Sequence, residues 1–196
     1  MTFRSFALGV FLAAIPATAS AEVKLPAVLS DHMVLQREMP VPIWGTAAPG
    51  EHVTVKFRDQ TKTAIAGNDG TWIVKLDALT AGGPDAVTIT GKNTIAIQDV
   101  LVGEVWVGSG QSNMQMNVGE CVGNDPVLAK LAAANYPRLR FLNGRHDVNR
   151  GTWTESDEKT NPTASALLFS FGVRLHEELD VPVGLMVGAA GGTPSG

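Results

Sequence analysis

The chain has 196 residues, 44% of them hydrophobic, and a formal net charge of −4. That length is enough for one or two modest domains with real cores. An acidic balance with no basic patch or basic helix argues against nucleic acid or an anionic membrane surface as a partner.

In chain order, the first feature is a segment to set aside. Arg4 supplies a short positive region, residues 6–15 an apolar run, and Ala19-Ser20-Ala21 a small-residue cleavage site. This order reads as a secretory signal peptide over 1–21, cleaved after Ala21, with export to the periplasm or the medium. The apolar run is too short to span a bilayer. A single cysteine, Cys121, has no intramolecular partner for a disulfide. It reads as a buried apolar thiol, with a reactive nucleophile as the weaker alternative. No His/Cys cluster has metal-ligand spacing, so no metal site and no cofactor is expected.

Residues 22–99 carry short β-rich runs at 33–35, 41–44, 53–57, 71–76, 87–90 and 94–97. Gly/Pro/Asn/Asp breakers separate them, at Ala48-Pro49-Gly50, Gly67-Asn68-Asp69-Gly70, Gly82-Gly83-Pro84 and Gly91-Lys92-Asn93. Such spacing predicts a small antiparallel β-sandwich. The run "HVTVKF" alternates, so one face is expected to be buried and the other solvated.

Beyond residue 100 the period changes. An apolar strand at 100–107 precedes a helix at 126–134, with Asp125 as N-cap and Pro126 in its first position. A strand at 139–142 follows, then a helix at 166–179 with Leu168, Phe171, Leu175 and Leu179 at spacings of three and four. A last apolar strand lies at 183–187. The order β-α-β-α-β predicts a parallel α/β sheet for 100–196, whose strand ends line up on one edge.

Ligands of open parallel sheets bind outside the carboxyl ends of the strands. Two loops leaving such ends have unusual composition: "GSGQSNM" after the first strand and "GAAGGTP" after the third. A serine on one loop and bare backbone N–H groups on both are the parts needed for acyl transfer, a nucleophile and an oxyanion hole. Ser112 and Ser109 are both candidates on pattern alone. Gln111 and Asn113 read equally well as amides that brace the loop.

These residues also carry a resemblance. "GEVWVGSGQSNMQM" resembles the nucleophile block of the sialate O-acetylesterase family, carbohydrate esterases of the SGNH (GDSL-like) hydrolases. "LPAVLSDHMVLQREMPVPIWGTAAPGE" and "GTWIVKLDALTAGGP" resemble the family's N-terminal β-domain. "GKNTIAIQDVLVGEVWV" is similar to its junction with the esterase domain, and "SALLFSFGVRLHEELDVPVGLMVGAAGGTP" to the helix, strand and Gly-Gly-Thr loop that follow. The similarity runs from about Leu25 to the last residues.

The resemblance implies that Ser112 is the nucleophile and that Ser109 shapes the turn. It also implies an oxyanion hole of the Ser112 N–H with a glycine N–H from Gly191 and Gly192. The substrate implied is an O-acetylated carbohydrate, sialic acid or a related sugar, deacetylated through an acetyl-enzyme. An acetylated polysaccharide such as xylan is the alternative substrate, and a non-catalytic carbohydrate-binding fragment the alternative role.

The match departs from the family at several points. The Asp-x-x-His block that should supply the base is missing, as is a Gly-Glu-x-Asn block. "GND" at 123–125 follows Val122 where the pattern wants glycine. None of the four histidines, His32, His52, His146 and His176, has an Asp three residues before it. His32, His52 and His176 read as surface residues, and His146, beside Asp147, as the one open candidate. Gly108 stands where cysteine is usual, Gln115-Met116 where Glu and an aromatic are, and Ala189-Ala190 where Ser-Trp is. The expected molecule is a member truncated at its C-terminal side, with an incomplete SGNH-type domain.

Overall fold

The structure, a computed structural model, describes residues 22–143 and 151–192. The expected signal peptide, the His146-Asp147 pair and the residues from Thr193 onward lie outside the described residues. No helix among those described is long and apolar enough to cross a membrane.

Strands β1 (Val34–Gln36), β2 (Val41–Thr46), β3 (His52–Phe57), β4 (Gln60–Ile65), β5 (Thr71–Leu76), β6 (Gly82–Thr90) and β7 (Thr94–Gly108) come first. Alternation decides their faces. In β3, Val53, Val55 and Phe57 are fully buried, while His52 and Lys56 are exposed. In β5, Trp72, Val74 and Leu76 point inward and Ile73 outward. The ribbon β2–β5 lays Val41, Ile43, Trp72, Val74 and Leu76 into the same core as Val53, Val55, Phe57, Val87 and Ile89. β4, absent from the sequence expectation, pairs antiparallel with β3 at the sheet's outer edge.

The remaining elements are α1 (Ser112–Gln115), α2 (Val118–Cys121), α3 (Pro126–Ala132), β8 (Tyr136–Asn143), β9 (Thr152–Ser156), α4 (Ala166–Leu179) and β10 (Val183–Val187). The Asp125 carboxylate accepts from the N–H groups of Val127 and Leu128, capping α3. β10 lies between β7 and β8 and is parallel to both, and β9 adds an antiparallel edge. The result is one mixed sheet in the order β4-β3-β6-β7-β10-β8-β9, with β1 on the other side of β7.

β7 is 15 residues long and joins the two parts of the sheet. Its first portion pairs with β6, residues 101–103 with β1, and residues 104–108 with β10. The composition change at 99/100 therefore falls inside a strand.

Two apolar cores flank it. The first holds the inner faces of β2, β3, β5 and β6 and also takes in Leu142 and Trp153. The Trp153 indole N–H donates to the Val28 carbonyl at 2.8 Å, tying the C-terminal part to the N-terminal one. The second core packs α2, α3 and α4 on β8 and β10. Cys121 is half-buried against it, not fully enclosed as the sequence suggested.

The buried face of α4 is also rotated from expectation, to Leu168, Phe169, Gly172 and Val173. Phe169 meets Phe141 and Tyr136, and Gly172 lets Leu139 and Leu185 approach the helix. Phe171 and Leu179 are exposed, Phe171 standing edge-on to Trp106 at 5.1 Å.

Candidate active site

Because β7 and β10 are parallel neighbours, with Gly108 opposite Val187, their carboxyl ends coincide. The segments 109–111 and 188–192 leave the same sheet edge side by side. Backbone bonds carry the pairing beyond the strands: Gly188 N–H to the Gly108 carbonyl at 2.8 Å, and Ala190 N–H to the Gly110 carbonyl at 3.2 Å. Gly110 turns at φ 136°, a conformation that requires glycine.

Ser112 begins α1 at this edge. It is exposed, as are Ser109, Gln111 and Asn113. The Gln111 carbonyl accepts from the N–H groups of Met114 and Gln115, which closes the turn. Met114 fastens it: its sulfur accepts from the Ser165 hydroxyl at 3.6 Å and packs against the second core. A Cβ on Gly108 would come within 2.8 Å of that sulfur, so the glycine at 108 makes room for Met114. Behind the turn, the Ala166 N–H donates to the Met116 carbonyl and the Val118 N–H to the Ala164 carbonyl, both at 2.9 Å. No described residue accepts from the N–H of Ser112 or of Asn113. Neither the Gln111 nor the Asn113 side chain is bonded to a described residue, so bracing by those amides is not seen here.

Gly191 and Gly192 lie on the facing loop. A Cβ on Gly191 would sit 4.0 Å from the Cα of Ser112, so the two backbones run in near contact. The Gly191 N–H donates to the side-chain carbonyl of Gln115 at 2.8 Å. Gly192 has φ 81° and open space on its side-chain side. Of the expected trio Ser112, Gly191 and Gly192, the backbone of Gly191 lies beside Ser112, and Gly192 follows it on the same loop. The sequence marked Gln115 as a departure from the family pattern but not as a partner of Gly191, because that bond joins residues 76 positions apart.

The described histidines lie elsewhere. The His32 Nδ1 is 2.6 Å from the Asp99 carboxylate, near the beginning of β7. Nine strand steps of about 3.3 Å place it roughly 30 Å from the far end of that strand. His176 is bonded through Nδ1 to the Val181 carbonyl at 2.8 Å, before β10 starts, whereas the candidate edge lies after β10 ends. His52 opens β3 in the N-terminal part. None of these three can take a proton from Ser112.

His32 is not a plain surface residue, though. With Asp99 and Glu155 it forms a group of possible metal ligands. The Arg140 guanidinium already lies against both carboxylates, at 2.8 Å from Asp99 and 2.9 Å from Glu155. A cation placed there would have to displace it.

Comparison with known proteins gives a consistent set. The chain is 32% identical over 200 residues to a sialate O-acetylesterase of Pongo abelii, a match covering 85% of this chain and 36% of that protein. It is 32% identical over 194 residues to a sialate O-acetylesterase of Homo sapiens, again covering 85% of this chain and 36% of the other. The chain thus spans about a third of the length of these curated relatives. A crystal structure of a carbohydrate acetylesterase from Xanthomonas citri superposes with a TM-score of 0.79 at 30% identity, covering 88% of this chain and 41% of that one. No family model matches the chain.

Proposed function

This chain is a relative of the sialate O-acetylesterases, and from that premise we propose that it carries the nucleophile of a serine esterase acting on O-acetylated carbohydrates. In this reading, residues 22–99 form its β-sandwich domain and 100–196 part of its SGNH-type α/β domain. Export by cleavage after Ala21 is part of the same proposal.

The observation that carries the reading is the placement of an exposed Ser112, with an uncommitted N–H, against the glycine loop of the neighbouring parallel strand. Ser112 Oγ attacks the acetyl carbonyl carbon. The carbon–oxygen bond to the sugar breaks, and the sugar leaves as a hydroxyl with the serine proton. Water then attacks the acetyl-enzyme, releasing acetate and restoring Ser112. With the Gly191 N–H held by Gln115, the Ser112 N–H and the Gly192 N–H receive the carbonyl oxygen. Each such donor typically lowers the barrier by roughly 2.7–4 kcal/mol.

The base is the part this reading leaves to an Asp-x-x-His block, which residues 1–196 do not contain. That no described histidine reaches Ser112 favours a second reading, a carbohydrate-binding chain without turnover. The two separate in one experiment. Ser112→Ala should abolish the burst of acetate released from an acetylated sugar or an aryl acetate, with sugar binding unchanged. Acetate release that survives Ser112→Ala refutes the site. Binding without release in the unaltered chain selects the second reading.

A further inference from the structure

We propose that Gln115 is the positioning residue of this site: its side-chain carbonyl holds the Gly191 N–H and so fixes the 188–192 loop beside Ser112. The role rests on the reading of Ser112 as the nucleophile. Gln115 lies three residues after Ser112, on the same side of the turn. Its Oε1 reaches across to Gly191 at 2.8 Å. The loop is already tied at Gly188 and Ala190 by backbone bonds that prolong the β7–β10 pairing. The bond from Gln115 is the next tie along, at Gly191, where a Cβ would lie 4.0 Å from the Ser112 Cα.

Gly191 is shaped for this contact. A Cβ there would lie 2.8 Å from the Gln115 oxygen and would oblige that side-chain end to move, loosening the bond. Gly191 is also exposed, so without Gln115 its N–H would turn to water. A neutral hydrogen bond at such a place contributes little net stability. What it sets is geometry, and misplacement by an ångström at a reacting centre is enough to cost about a hundredfold in rate. With the Gly191 N–H committed to the tie, the donors that face an acyl oxygen are those of Ser112 and Gly192.

The test follows the Gly191 amide by NMR in the 15N-labelled chain. Gln115→Leu, similar in size but lacking an acceptor, should speed its hydrogen exchange about threefold to tenfold, the loss of one neutral bond. Gln115→Glu should keep exchange slow, because a carboxylate accepts as an amide does. In that variant the Gly191 resonance should also move as the new carboxylate titrates, a signature that mere packing would not produce. The Glu variant carries the test by itself if the Leu variant does not fold.

Unchanged Gly191 exchange in Gln115→Leu, or a Gly191 resonance indifferent to pH in Gln115→Glu, overturns the proposal. Ser112→Ala keeps the two claims apart. It should leave the Gly191 resonance in place while removing acetate release. Release that persists sinks the nucleophile, and the tie is still judged on Gly191.

Discussion

Asp99 sits at φ 53° and His32 at φ 66°, both in the left-handed region that costs a non-glycine residue about a kilocalorie or more. Their side chains offset that strain by meeting the buried Arg140. Burial alone would push the Asp99 carboxyl up, but hydrogen bonds from His32 and Arg140 outweigh it and hold the group below the usual aspartate range. A folded-state value below the unfolded one means stability that is present above the unfolded value and lost as pH falls through the folded one. Asp99→Ala should therefore cost about 1.5–3 kcal/mol at neutral pH, since it leaves the buried guanidinium with the half-exposed Glu155 as its one carboxylate partner. It should also flatten the loss of stability below about pH 4, where ordinary aspartate titrates. Urea unfolding between pH 3 and 7 reads both, and a variant as stable as the parent would show that the cluster is idle. The sequence could not reveal this group, because its members are brought together from positions 67 and 41 residues apart. Ser112 was legible because a single loop carries it.

Among the elements, the contact between β7 and the entrance to β10 is the least forgiving. A Cβ on Gly103 would run into the backbone carbonyl of Pro182, which accepts from the Glu104 N–H at 2.9 Å. Backbone cannot swing aside as a side-chain end can. Gly103→Ala should cost about 3 kcal/mol, at the upper end for overpacking. Gly123→Ala has open space around it and should stay within about 0.5 kcal/mol of the parent. Thermal melts of the pair decide this, and equal melting points would remove the argument. Alternation located the faces of β3, the Asp125-Pro126 start located α3, and short β-rich or apolar runs located β5 and β10. Periodicity missed β4, whose "QTKTAI" has little apolar alternation to show. On α4 it placed Leu168 and Leu175 on the packed side but misplaced Phe171 and Leu179, because Gly172 at the centre of the true face adds nothing to a hydrophobic count.

At the scale of the molecule, the sequence showed a β-rich part followed by alternating strands and helices. Its change of composition at 99/100 gave no sign that one strand runs through both. Among the described residues, the same strand also has an edge without a strand partner. Beyond Gly103, no described strand pairs with β7 on the side where β1 ends, and Trp106, Val107, Leu167 and Phe171 are exposed nearby. Gln36 Oε1 takes the Val105 N–H on that side, but the rest of an edge without a strand partner, beside apolar side chains, promotes association. Sedimentation of this chain should show concentration-dependent association, which Val107→Lys reduces by placing a charge on that edge. Association equal in parent and variant would locate the contact elsewhere.

The shared strand also constrains how such a chain can change over generations. One residue gained or lost within 94–108 exchanges inward for outward at every later position of the strand. The first core, which holds Ile97, Val100 and Val102, and the pairing with β10 would feel that slip at once. An insertion or deletion should therefore be borne more easily in the loops at either end of the strand than within it.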